Sequence, residues 1–173
     1  SIPAANLTGA LPAISGASLT NLPAGGKFLQ IIQDTRTSQL SYSSHSQFNS
    51  ISGLSVTITP SASTSKILVM VSMTQACTTS TMTIYKLLRG STFLLPTTGS
   101  ATVSGTDYEG TFAGKLTGTR GTPACFNFLD EPNTTSATTY SLQVMHNSGT
   151  WSLNQRDGNY AGSSTIHAIE VGA

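Results

Sequence analysis

Charge is what this chain has least of. Asp, Glu, Lys and Arg make up 9% of its 173 residues, against roughly 25% in an average soluble protein. The formal net charge is +1, so electrostatics give no reason to expect nucleic acid or an anionic membrane as a partner. Long apolar runs are also lacking. None approaches the roughly 18 residues that cross a bilayer, which excludes insertion by a helix. No basic start followed by an apolar stretch and a small-residue cleavage site marks a signal peptide. Ser1 stands where an initiating Met would, and is read as a processed or truncated start. Helical periodicity is missing too: no dozen residues carry apolar positions at i, i+3, i+4 and i+7 with caps. Without helices to serve as crossovers, a parallel sheet is excluded.

Cysteine is scarce. Cys77 and Cys125 allow one disulfide, and their spacing matches no zinc or redox motif. The preferred reading is two buried free thiols, since free cysteine is among the most buried residue types. Hydroxyls take the place of charge, with 25 serines and 27 threonines. Threonine packs well on a pleated surface. A surface of hydroxyls suits a protein that buries much of itself against its own copies, or one built for durability. Asn6-Leu7-Thr8 and Asn133-Thr134-Thr135 are formal glycosylation sequons, a pattern common by chance in a Thr-rich chain.

A seam at Gly25-Gly26 divides the chain. Before it, Leu7-Thr8-Gly9-Ala10-Leu11-Pro12-Ala13 is echoed by Leu19-Thr20-Asn21-Leu22-Pro23-Ala24. So thin a segment has too few large apolar residues to fold alone, but stacking on copies of itself could order it. Residues 1–26 are therefore read as a stalk, with Leu7, Leu11, Ile14, Leu19 and Leu22 packed near a shared axis or on the base of the head. Residues 27–173 are read as the head.

Period-two patterning dominates after the seam. Leu54, Val56 and Ile58 alternate with Ser55, Thr57 and Thr59, and Pro60 stops the run. Ile67-Leu68-Val69-Met70-Val71 is continuously apolar and reads as a strand covered on both faces. Met82, Ile84, Lys86 and Leu88 face one way, and Thr83, Tyr85, Leu87 and Arg89 the other. Gly90-Ser91 turns into a strand over 92–95. Residues 96–123, rich in Gly, Thr and Ser, read as long loops with one short strand near 108–112. Further strands fall at 125–129, at 139–146 with Tyr140, Leu142 and Val144 inward, at 151–155, and at 164–171. Asn147-Ser148-Gly149 and Asp157-Gly158 read as turns. Eight to ten short strands with turn signals about every ten residues indicate an antiparallel β-sandwich or jelly roll.

The head resembles the C-terminal head domain of phage tail-fibre and virion structural proteins, particularly those of aquatic tailed phages. The residues that carry the resemblance are Gly25-Gly26-Lys27-Phe28-Leu29-Gln30-Ile31-Ile32-Gln33, Leu54 to Pro60, Ser65 to Val71, Tyr85 to Gly90, Phe128-Leu129-Asp130, Ala137 to Tyr140 and Thr165 to Glu170. The first segment is similar to the repetitive shafts that precede such heads. The resemblance implies a homotrimer of jelly-roll-like heads on a virion, as a tail fibre or a capsid-attached fibre. Other virion proteins would be met through the N-terminal side, and a host-surface polysaccharide or protein through the head. It transfers no binding residues.

Chemistry is therefore read from the residues. Sugars stack a CH face on an aromatic ring while Asn, Asp and Arg bond their hydroxyls. Trp151, Asn154, Arg156, Asp157, Asn159 and Tyr160 bring these types together around one hairpin, and Tyr108 in the loop-rich region could join them. The competing reading makes Trp151 a core or interface aromatic and Arg156–Asp157 a structural pair. The region from Pro96 to Pro123 is a second candidate surface. Catalysis has thinner support. A glycan-cleaving fibre needs two carboxylates roughly 5 to 9 Å apart. Asp107 and Glu109, on one face if they lie on a strand, are the best pair, with a solvated loop pair as the stronger reading. Asp130-Glu131-Pro132 reads as turn chemistry. His45, His146 and His167 are isolated and read as core or interface residues. No cofactor, metal or nucleic-acid partner is expected. The leading expectation is a non-enzymatic fibre head for host recognition. The others are a structural decoration of capsid or tail, a polysaccharide depolymerase, and a monomeric lectin.

Overall fold

The computed structural model describes residues 27–44, 46–94, 100–103, 106–117, 121–155 and 162–172. The expected stalk and its five apolar residues lie outside the described residues. Inside them, side-chain alternation builds a sandwich. In β3 (Asn49–Ile58), Leu54, Val56 and Ile58 are buried, while Ser55 and Thr57 between them are exposed. β4 (Lys66–Cys77) sends Ile67, Val69, Val71 and Met73 inward. β11 (Thr138–His146) buries Tyr140, Leu142 and Val144 as its alternation predicts. These residues close the core with Tyr85 and Leu87 of β5 (Ser80–Arg89) and Ile166 and Ala168 of β13 (Ser164–Val171).

Every pairing is antiparallel. β1 (Phe28–Arg36) pairs with β13, and β2 (Leu40–Tyr42) pairs with β12 (Trp151–Leu153). β13 and β12 lie end to end along one side of β4, and β10 (Thr122–Asp130) takes the other side. The first sheet thus has four columns, in the order β1/β2, β13/β12, β4, β10. In the second sheet β3 pairs with β11 and β11 with β5. Beyond β5 stand β6 (Thr92–Leu94) and β9 (Phe112–Thr117), again end to end. Numbered along the chain, the columns run 1-8-3-6 in one sheet and 2-7-4-5 in the other. That is the two-sheet, eight-column order of a jelly roll.

Three expectations are corrected. The stretch read as loops carries three strands, β7 (Ser100–Val103), β8 (Thr106–Glu109) and β9, and the first two form a separate hairpin. Short Thr-rich strands carry almost no apolar alternation, so their pattern is silent. The cysteines are both free, with Cys77 buried and Cys125 exposed. Cys125 pairs with Ser72, five positions along β4 from Cys77. That is about 16 Å of strand, far beyond the reach of a disulfide. Finally, the apolar run of β4 is covered on one face only: Leu68 is half-buried and Met70 is 43% exposed.

Polar groups tie the sheets together where the core runs out. Arg89 Nη1 donates to both oxygens of the buried Asp130 at 2.9 Å, and the Tyr140 hydroxyl donates to Oδ2 at 2.6 Å. Burial pushes the Tyr140 hydroxyl up, and the Asp130 charge adds to this. At the same end, buried Glu170 accepts from the Ser61 amide at 2.7 Å, the Ser61 hydroxyl at 2.6 Å and Gln30 Nε2 at 2.6 Å. Here, too, the chain comes in and leaves: Gly172 N donates to Lys27 O at 2.8 Å. The turns at 78–79 and 147–150 are at the opposite, distal end.

Candidate functional site

The hairpin expected to hold a sugar starts at Trp151, which opens β12 between Cys77 of β4 and Tyr42 of β2. With a strand on each side, its ring turns inward and is fully buried. The indole N–H donates to Gln75 Oε1 at 3.1 Å and to the Tyr85 hydroxyl oxygen at 3.2 Å. Tyr85 in turn donates to Gln75 Oε1. Tyr42 stacks on the indole with ring centres 6.1 Å apart. Burial pushes the Tyr85 hydroxyl far up, and the Trp151 hydrogen bond offsets only part of this. The cluster is neutral and internally paired, so Trp151 is a core aromatic and cannot carry a sugar.

Asn154 is corrected in the same way. It is fully buried with φ of 51°, a left-handed backbone that Asn tolerates better than most residues. Its amide donates to Arg36 O at 2.7 Å and its carbonyl accepts from Ser164 Oγ at 2.7 Å. It therefore fastens the kink between β1 and β2 to the start of β13. β12 ends at Leu153, and Gly162, just before β13, sits against Thr74. Arg156, Asp157, Asn159 and Tyr160 lie outside the described residues.

Tyr108 and Asp107 are on β8, opposite Ala101 and Thr102. Glu109 is exposed on the same strand. Among the described residues, no three His, Cys, Asp or Glu side chains converge as a metal site would need. His146 is buried with Nδ1 3.1 Å from Ser148 O, and His167 Nε2 lies 2.9 Å from Gln33 Oε1 on the first sheet. His45 lies outside the described residues. Lys66 Nζ is 2.6 Å from Glu131 and holds that carboxyl below the usual carboxylate range.

What the sequence reasoning missed is a surface. On the outer face of the first sheet, strand register aligns Ile31, Ile169, Leu68 and Leu129 in a single row across all four columns. The next row proximally holds Phe28, Val171 and Lys66, and the next distally Gln33, His167, Met70 and Asn127. Phe28 is 68% exposed, Ile31 59% and Leu129 51%. Beside Met70 and His167 a depression of about 310 Å³ opens between β4 and β10. The outer face of the second sheet differs: Ile84 and Met145 are buried there under Phe48 and Met82, and Lys86 Nζ lies 4.0 Å from the Phe48 ring centre. The signal for the bare face was legible in the unbroken run Ile67 to Val71 and in the apolar pairs Phe28-Leu29 and Ile31-Ile32.

No family model matches the chain, and no curated protein matches it. Among solved structures it is similar to a chain from infectious bursal disease virus, Gx strain, at 15% identity and a TM-score of 0.40, over 83% of this chain and 40% of that one. It is also similar to one from the Gt strain, at 12% identity and a TM-score of 0.43, over 82% of this chain and 40% of that one. The chain thus spans about 40% of the length of each.

Proposed function

We propose that this chain is a virion structural protein: a trimeric fibre head, carried by residues 1–26 and presenting its distal loops to the host surface. The observation that carries the reading is the polarity of the jelly roll. Lys27, the residue after 1–26, is bonded to Gly172 at the proximal end, while the turns at 78–79 and 147–150 are at the other end. A head fixed at one end and looped at the other is built for contact at its tip. The resemblance of the head and of the repeated first segment to fibre proteins supports the same assignment.

The burial of Trp151 and Asn154 favours a second reading, a capsid or tail decoration that binds no receptor, because it removes the aromatic platform from the expected sugar site. One experiment separates the two. Antibody labelling of the particle is combined with adsorption assays on a variant carrying Glu at Thr79 and Ser80, both exposed at the distal end. The fibre-head reading expects label at projecting tips and at least a tenfold loss of adsorption. Label spread over the capsid or tail surface, with adsorption unchanged, would establish the decoration.

A further inference from the structure

We infer that the bare proximal face of the first sheet, centred on the row Ile31, Ile169, Leu68 and Leu129, is the contact between copies of this chain. The inference rests on the fibre reading and gives its trimer a specific surface.

Four observations carry it. First, the Ile67–Val71 segment of β4 is apolar on both faces, the signature of a strand covered on both sides, yet the single chain covers only one of them. Second, the face is neutral. Its polar residues are hydroxyls, Asn127 and the Gln33–His167 pair, and Lys66 at its border is paired with Glu131. A charged partner finds nothing to match, whereas a copy of the same face meets no like charge. Third, the size suffices. Four columns about 4.8 Å apart and about seven residues long give roughly 440 Å² of outline. Three such faces, corrugated by large side chains and each divided between two neighbours, come to roughly 2,000 Å² in all, within the range of stable interfaces. Fourth, Phe28 borders the face, so copies joined here bring their residues 1–26 together, as a shared stalk requires.

The row also suits a threefold axis. Ile31 lies on one edge column and Leu129 on the other, about 14 Å apart. A chain facing the axis can therefore reach both neighbours.

The test is the absolute mass of the full chain by light scattering, for the wild type and for the double variant Ile31→Glu, Leu129→Glu. Both side chains are exposed in the single chain, and near-UV circular dichroism checks that the variant keeps its core. The wild type is expected at three times 17.9 kDa. The variant is expected as a monomer at micromolar concentration, with association weakened at least about 100-fold. If the double variant misfolds, Met70→Lys is measured in its place. A natively folded variant that stays trimeric overturns this inference and leaves the fibre reading standing. A monomeric wild type overturns the inference, while labelling of the particle still decides the fibre reading. In that case, absence of hydrophobic-dye binding would assign the face to residues 1–26 of the same chain. Strong dye binding would assign it to a different protein.

Discussion

At the scale of the residue, Trp151 and Glu170 show how this chain uses its few polar and aromatic side chains. Trp151 is held by Gln75, Tyr85 and Tyr42, so its loss should be felt as stability. Trp151→Phe should cost about 1–2 kcal/mol and Trp151→Ala about 3–5 kcal/mol by urea unfolding. A folded Trp151→Phe variant should adsorb to cells as the wild type does. Glu170 has opposing influences. Burial disfavours its charge, but hydrogen bonds from Ser61 and Gln30 outweigh burial and hold the carboxyl at about 2. Its folded value lies below the ordinary value of about 4.3, so its stabilisation is complete above that value and is lost as the pH falls through about 2. Thermal melts of the wild type and Glu170→Gln between pH 6 and pH 2 should show a wild-type advantage that shrinks below about pH 4.3. An advantage that stays constant over that range would contradict the assignment.

Elements stand or fall on their turns and their alternation. Gly149 and Gly90 both have positive φ, 70° and 58°, but their surroundings differ. A Cβ on Gly149 would lie 2.3 Å from Thr79 Oγ1 and 2.9 Å from Thr78 Oγ1, whereas one on Gly90 would meet nothing within 4 Å. The two hydroxyls are themselves engaged, Thr79 with Ser148 and Thr78 with the Thr150 amide. Gly90→Ala should therefore cost about 1 kcal/mol of left-handed strain. Gly149→Ala should cost about 1–2 kcal/mol more, as measured by denaturant midpoints. The same contrast between pattern and surroundings explains what could be read in advance. β3, β11 and β13 alternate one buried apolar residue with one polar or half-buried residue, so their inner faces were legible. β7 to β9 are short and rich in Thr, Gly and Ser, and a strand made of such residues looks like a loop. The sugar hairpin was expected across Asp157-Gly158, but β12 and β13 lie end to end along β4 and do not pair with each other, and the inward side of β12 was not legible. Trp151 and Asn154 are suitable for a ligand by type, and only the pairing of β12 between β4 and β2 shows that both are used internally.

For the whole molecule, scarcity of charge has a physical consequence. The contact inferred above, centred on Ile31, Ile169, Leu68 and Leu129 and with Lys66 paired to Glu131, would have little electrostatic energy to screen. The mass measured by light scattering should be unchanged between about 0.05 and 1 M NaCl, and ammonium sulfate should strengthen association. A trimer that dissociates in salt would point to ionic contacts elsewhere. The sandwich class was legible from strand count and turn spacing, but the column order was not, because register and sheet partner are decided by contacts far apart in sequence. The hydrogen bond between Gly172 and Lys27 gives that order a mechanical meaning. A pull transmitted through residue 26, with the distal loops held, runs along the axis of β1. The β1–β13 ladder, with partners from Phe28–Val171 to Arg36–Ser164, is then loaded in shear, and its hydrogen bonds must yield together. A pull that separates Lys27 from Gly172 would open the same ladder one rung at a time. On the fibre-head reading proposed above, the sandwich is strongest along the direction in which a tethered particle would tug on it.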